Sequence, residues 1–341
     1  MNILQGVWND ISGFFGYDEL LKILKTGNYS ELLTLKGIEA AIGPILPLIL
    51  VFEIIRAAFY KRFKVFDYKI SFFTFVFNAF IGQVISIGAY VFCVGLFQPH
   101  AIFDTTFTWY WFIYSYVVWE FSHFIYHFLA HKVRILWCLH STHHAPASMN
   151  LSVSYAHFFL EGPYATVIRT SICMLLGVNP AVLAVIMFID GTWGGFIHIG
   201  ENIAEDARFG FLGKIILTPS HHRVHHAKNP RYMDTNFCNL LNIWDKVFGT
   251  YEPEDRSIPI EYGISRPMKP HSFLDAYFGE IVALGKDVAK APGLKNKVLY
   301  IFMPPGWSHT GDHKTSAVVR KKYFEQEAKK QESKSKELVE G

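Results

Sequence analysis

Apolar residues gather in four long blocks along this chain. Gly37–Tyr60 is apolar apart from Glu39, Glu53 and Arg56. Ile70–Phe97 holds no charged residue, and Phe107–Phe124 is aromatic-rich with Glu120 as its only charge. Each approaches or exceeds the roughly 20 residues that a membrane-spanning helix needs. A fourth block, Tyr164–Ile197, is too long for one span and is interrupted by Gly177-Val178-Asn179-Pro180. That break predicts two helices in a hairpin that enters and leaves on one side. At about 1.5 Å per residue each arm is short for a full crossing. The pattern predicts an all-α integral membrane helical bundle, with three full spans plus the broken hairpin.

Basic residues orient such a bundle. The segment after the first block carries Arg56, Lys61, Arg62, Lys64 and Lys69, whereas Gln98–Thr106 carries no Lys or Arg. The first loop is therefore expected on the cytoplasmic side. The third span then returns there just where His127 begins, near Lys132 and Arg134. A hairpin over 164–197 leaves His198 and His222–His226 on that side too. The expected organisation is an N-terminal interfacial or soluble helix over 1–36 and spans over 37–126. A histidine-rich helical cap facing the cytoplasm follows over 127–267, and then a C-terminal region over 268–341 with a charged tail.

Composition agrees with a membrane setting: 51% of residues are hydrophobic and 18% charged, against about 25% charged in a soluble domain. A net charge of +3 gives no electrostatic footprint for nucleic acid. Cys93, Cys138, Cys173 and Cys238 form no Cys-x-x-Cys pair, which argues against a disulfide scaffold or a thiolate zinc site. Met1–Gly16 has no basic stretch before its apolar residues, so no cleavable signal is expected.

Histidine spacing supplies the chemistry. His127 and His131 stand four apart. His140, His143 and His144 stand at i, i+3 and i+4, and His222, His225 and His226 repeat that string. Positions three and four apart share a helical face, so three helices can aim eight imidazoles at one volume, with His198 as a ninth. Packing does not repeat one His-x-x-His-His string twice, and imidazole is the commonest metal ligand near neutral pH. A structural zinc takes four ligands and usually draws on Cys; nine imidazoles fit two metals. Imidazole suits Zn, Cu, Fe and Ni, so spacing leaves the metal open. His123 and His221 share faces with these residues but lie outside the repeated pattern, and each stands open between ligand and neighbour. His157, one turn before Glu161, reads as a hydrogen-bonded pair near a substrate. His100, His271, His309 and His313 read as ordinary core or surface residues.

The strings around these histidines carry a family resemblance. Trp137–His144, Thr218–His226, Asn236-Phe237, Trp244–Thr250 and Tyr262-Gly263 resemble the fatty acid hydroxylase and sterol desaturase family of membrane di-iron enzymes. Within it they look most like the alkylglycerol monooxygenase branch and its bacterial relatives. The chain departs from the pattern at Phe128, where Arg is usual, and at Glu120, where Asp is usual. The resemblance implies two Fe ions with O2 as co-substrate, hydroxylating a C–H bond of a lipid. Its implied ligands are His127, His131, His140, His143, His144, His198, His222, His225 and His226. Glu120, Glu161, Asn202, Asn236 and Asp245 become candidates for orienting imidazoles through their free nitrogens. The chain has no flavin or haem motif, so an external electron donor is expected, a tetrahydropterin or a redox protein.

A desaturase or sterol oxidase uses the same ligands and stays open. A zinc hydrolase with metal-bound water needs fewer ligands than this chain offers. A transporter places its site near the membrane midplane, whereas these histidines stand at or beyond span ends.

Overall fold

The computed structural model describes residues 17–61, 63–269 and 271–340. The N-terminal residues to Gly16, and Arg62 of the basic loop, lie outside them. Among the described residues the fold is helical with no strand; two isolated bridges join Ile216 to Leu241 and Ala227 to Tyr262. The helices are α1 (Tyr17–Thr26), α2 (Leu35–Ile42), α3 (Ile45–Phe59), α4 (Val65–Phe80), α5 (Gly82–Phe97), α6 (Trp109–Lys132) and α7 (Arg134–His144). They continue as α8 (Glu161–Leu175), α9 (Pro180–Phe196), α10 (Pro219–His225), α11 (Ile243–Val247), α12 (Phe273–Lys290), α13 (Gly293–Phe302) and α14 (Ser316–Glu340).

Two segments are long and apolar enough to cross a membrane, Ala40–Phe59 and Gly82–His100. Leu48, Val51, Phe52 and Ile55 of the first, and Val84, Ile87, Val91 and Phe92 of the second, are exposed. Exposed apolar side chains on this scale suit lipid rather than water.

The structure departs from the expected spans in two places. The uncharged block 70–97 is not one helix: it breaks at Ile81, between α4 and α5. A continuous helix over Val65–Phe97 would run about 50 Å at the standard rise, beyond any bilayer core. The break also brings Gly82 under the Phe159 carbonyl, where a Cβ would stand 3.1 Å from the oxygen. The block 107–124 lies within α6 from Trp109 onward, but α6 does not qualify as a membrane-crossing helix by apolarity. Ser115, Trp119, Glu120 and Ser122 are buried along it, so its polar side chains serve protein contacts.

The expected break is present: the fourth block divides into α8 and α9. Asn179 Oδ1 accepts from the Ala181 and Val182 amides and caps α9, and Pro180 occupies its first turn, where no N–H partner is needed. Gly177 sits at φ +75, and a Cβ there would lie 2.1 Å from the Phe103 carbonyl oxygen. Only glycine fits. Tyr116, Trp119, Met174, Leu183 and Ile186 of α6, α8 and α9 form the main core. A second core of Phe124, Ile197, Leu217 and Phe237 lies beside the histidines.

Candidate metal centre

Three local devices aim the histidines. Helices α6 and α7 are separated by Val133 alone, which is extended (φ −117, ψ 119), so α7 folds back and sets His140 and His144 in its last turns against His127 and His131. Helix α10 starts with a Thr218 cap in which His221 takes part: Thr218 N donates to His221 Nδ1 at 3.2 Å. The segment 234–239, held by Asp245, closes over the ligands from the side.

The result is two adjoining groups of buried imidazoles. His127, His131, His140, His144 and His225 form one, and His143, His198, His222 and His226 the other; the ligand atoms of each lie within 4.8 Å of one another. The split follows from helix geometry. At about 100° per residue, i and i+4 stand some 40° apart, whereas i+3 diverges on the other side of i. His140 and His144 therefore join one group and His143 the other. On α10 the roles reverse, with His222 and His226 in the second group and His225 in the first.

These residues fit metal ions. His127 Nδ1 donates to the Phe237 carbonyl (2.9 Å), His225 Nδ1 to the Thr235 carbonyl (2.8 Å) and His198 Nδ1 to the Gly194 carbonyl (2.6 Å). His140 Nδ1 reaches Glu161 Oε1 at 2.5 Å. A ring that donates through Nδ1 presents an Nε2 lone pair. His127 Nε2 and His140 Nε2 stand 3.1 Å apart, a spacing that suits two ligands of one cation. The Nε2 atoms of His131 and His225 are buried with no protein partner among the described residues. The Nε2 pairs His143–His198, His198–His222 and His222–His226 stand 3.1, 2.9 and 3.1 Å apart. Neighbouring ligands on one ion with bonds near 2.1 Å are spaced about so.

Electrostatics favours the ligating state. Burial pushes His127, His143, His144, His222, His225 and His226 well below the usual histidine range, and neighbouring imidazoles push the same way. Burial also carries His131 down to about 4 and His198 to about 3. All are neutral at pH 7, as metal binding requires.

With this geometry in place the chain can be compared with known proteins. Residues 112–250 match the fatty acid hydroxylase family. The matching region holds all nine histidines. The chain is 32% identical over 204 residues to alkylglycerol monooxygenase of Homo sapiens, covering 60% of this chain and 43% of that protein. It is 27% identical over 213 residues to alkylglycerol monooxygenase of Caenorhabditis elegans, covering 60% and 40%. Ornithine lipid hydroxylase OlsE of Rhizobium tropici is 31% identical over 149 residues, 44% of each chain. The chain thus spans less than half the length of these relatives. No solved structure matches it.

Within the fatty acid hydroxylase region the acidic residues take different places. Glu161 is a hub: Oε1 accepts from His140 and from the Tyr126 hydroxyl (2.8 Å), and Oε2 from His157 Nδ1 (2.8 Å). Burial acts to raise its carboxyl, but His157 and His140 outweigh burial and hold it well below the usual carboxylate range. The His157 ring stacks on His143 at 4.3 Å. Glu120 instead accepts from the Asn239, Leu240 and Leu241 amides (3.2, 2.7 and 3.0 Å). Asp245 accepts from the Phe237 and Cys238 amides (2.7 and 2.9 Å); it steadies the carbonyl that holds His127. Asn236, at φ +56, donates to the His221 and Glu252 carbonyls. Asn202 lies past His198, its carbonyl accepting from Arg56 Nε at 2.5 Å. Outside both groups, His221 spends Nδ1 on the Thr218 cap and Nε2 on the Tyr251 hydroxyl (2.8 Å). His123 Nδ1 stands 3.7 Å from Asp190.

Sequence reasoning passed over Asp234, which binds both His131 Nδ1 (3.4 Å) and Lys132. Only its position eight residues past a ligand marks it, and that is no signal. It also treated Glu53 as a charge near a span end. Glu53 is buried and accepts from the Leu151 and Gly200 amides, both at 2.7 Å, tying α3 to the turn after His198.

Two cavities reach the imidazoles. One, of about 390 Å³, touches His127, His140, His143, His198 and His222 and is walled by α4, α5, α8 and α9. The other, of about 530 Å³, touches His131, His144, His225 and His226 and is lined by Arg134, Lys228, Arg266, Glu280 and Asp287. Each histidine group therefore borders both cavities.

Proposed function

We propose that this chain is an O2-dependent membrane oxygenase that hydroxylates a C–H bond of a lipid. The observation that supports it most is the pair of adjoining buried imidazole groups, both reached by a cavity enclosed by helices α4, α5, α8 and α9. The printed names of the relatives, a monooxygenase of alkylglycerols and a hydroxylase of ornithine lipids, point to the same chemistry.

The nine histidines would hold two ions, proposed as iron. When bound, such ions supply O2 activation and C–H oxidation. The chain supplies the rest. Glu161 and Asp234 hold His140 and His131 in one tautomer and raise their basicity. The carbonyls of Gly194, Thr235 and Phe237 do the same for His198, His225 and His127. His157, paired with Glu161 on the wall of the smaller cavity, can hold a proton at Nδ1: burial lowers its proton affinity, but Glu161 overrides that and raises it. Lipid is expected through the smaller cavity, and an external donor, tetrahydropterin or redox protein, at the larger one. One oxygen atom enters the lipid, the other leaves as water, and the donor gives two electrons.

The proposed topology keeps the histidines on the cytoplasmic side, in a cap over 127–267 beyond spans within 37–126, with flanking regions 1–36 and 268–341. The basic segment after α3 supports this, since Lys64 reaches the Ala147 carbonyl (3.0 Å), just past His144. The test is turnover of a 1-O-alkylglycerol under 18O2, with a tetrahydropterin supplied as the donor of two electrons and two protons, by purified protein in nanodiscs. One labelled oxygen atom in the lipid is expected. A new double bond without label would make it a desaturase, and product without O2 consumption would make it a zinc hydrolase.

A further inference from the structure

Arg169 lies in α8, within the apolar hairpin, and lines the smaller cavity. Its Nε donates to the Ala165 carbonyl one turn back (3.2 Å). Its guanidinium lies 4.7 Å over the Trp119 ring and 5.2 Å over the Tyr126 ring. Among the described residues no carboxylate forms an ion pair with it, and no protein acceptor takes its terminal N–H groups. A guanidinium in such a setting is costly unless its protons find acceptors. The two aromatic faces stabilise the charge but leave the N–H groups to the cavity.

Its position relative to the histidines gives this a use. The Tyr126 ring stacks on His127 at 5.8 Å, and its hydroxyl donates to Glu161, which holds His140. A single aromatic ring therefore separates Arg169 from the metal ligands. Glu161 and Asp190 line the same cavity, so a phosphate at Arg169 would face two carboxylates. An uncharged oxygen accepts from Arg169 without that repulsion.

We propose that Arg169 anchors the polar end of the lipid through an uncharged acceptor oxygen, such as a headgroup hydroxyl, and so selects a C–H bond within a few bonds of that end. This rests on the oxygenase reading but concerns where the lipid is held. Arg169 is a specificity-determining residue in the binding cavity.

The test is a cycle of two protein forms and two ligands. Full-length, metal-loaded protein is kept free of O2, and dissociation constants are read from Trp fluorescence. The ligands are 1-O-hexadecylglycerol and hexadecyl methyl ether, which lacks the hydroxyls; the proteins are wild type and Arg169→Gln. Loss of the hydroxyls is expected to weaken binding to wild type about tenfold or more, the scale of a hydrogen bond to a charged group. It should change little in Arg169→Gln. Equal loss in both proteins would overturn the anchor. If Arg169→Gln does not fold, wild type decides alone: equal affinity for the two ligands overturns the proposal, and tighter binding of the glycerol supports it. Admitting O2 together with a tetrahydropterin as reductant then reads position. Wild type should oxidise carbon beside the ether oxygen, and Arg169→Gln should spread oxidation along the chain; oxidation at mid-chain by wild type would contradict the proposal. Failure of either protein to consume O2 with lipid would strike the oxygenase reading, while the binding cycle would still report on Arg169.

Discussion

The two histidine groups are built from the same kind of ligand but are braced differently. In the five-histidine group, His140 leans on the buried carboxylate of Glu161 and His131 on the half-buried carboxylate of Asp234. His127 and His225 lean on the carbonyls of Phe237 and Thr235. In the four-histidine group, His198 has the Gly194 carbonyl, and the Nδ1 atoms of His143 and His222 are buried with no protein acceptor among the described residues. A carboxylate behind an imidazole makes it a stronger donor to a metal. The five-histidine group should therefore hold its ion more tightly, and the four-histidine group should be the more exchangeable.

Removing a ligand gives the largest effect. His225→Ala should abolish turnover while the protein remains in the membrane fraction, and the loss of metal should fall on the five-histidine group. His309, hydrogen-bonded only to Tyr300 at the surface, provides the control, and His309→Ala should keep near wild-type rates. Near-normal product formation by His225→Ala would break the ligand assignment.

A smaller effect is expected one step out from the metals. Glu161→Gln should lower affinity at the five-histidine group about 10- to 100-fold and leave the other group's affinity within a few-fold. Asp234→Asn should act in the same direction toward the lower end of that range, because its 3.4 Å contact with His131 is the longer one. Equal weakening of both groups by Glu161→Gln, measured by competition with a metal indicator, would erase the contrast.

The smallest effect is that of pH on metal-free protein. His131 and His198 titrate near 4 and 3 in the fold, against 6.5 when unperturbed, with burial as the main cause. Below 6.5 the unfolded chain takes up protons that these folded imidazoles refuse, so stability falls with pH. The melting temperature of metal-free protein should drop progressively from about pH 6.5 toward about 4, and bound metal should flatten that drop. A melting temperature independent of pH across this window would mean that the imidazoles are not held neutral by burial.

Much of this site could be read from the sequence because its spacing is local. An i, i+3, i+4 string fixes which ring faces which way on one helix, and the Asn-Pro break fixes the division between α8 and α9. The sorting of histidines into five and four was hidden, since it depends on how α7 and α10 meet. Glu120, Glu161 and Asp245 looked alike on paper. All three are buried, yet Glu161 meets imidazoles while Glu120 and Asp245 meet backbone amides; only the path of the 234–241 segment decides. Asp234 was invisible because its partner lies about a hundred residues away. The break at Ile81 was missed because an uncharged run shows no polarity at a bend.

Counting metal per chain while a chelator is titrated into purified protein tests the two unequal groups most directly. Two ions per chain are expected at the start, leaving in two separate steps, with Glu161→Gln shifting only the tighter step. A single ion per chain, or two ions lost in one step that Glu161→Gln moves as a whole, would contradict a pair of differently braced metal sites.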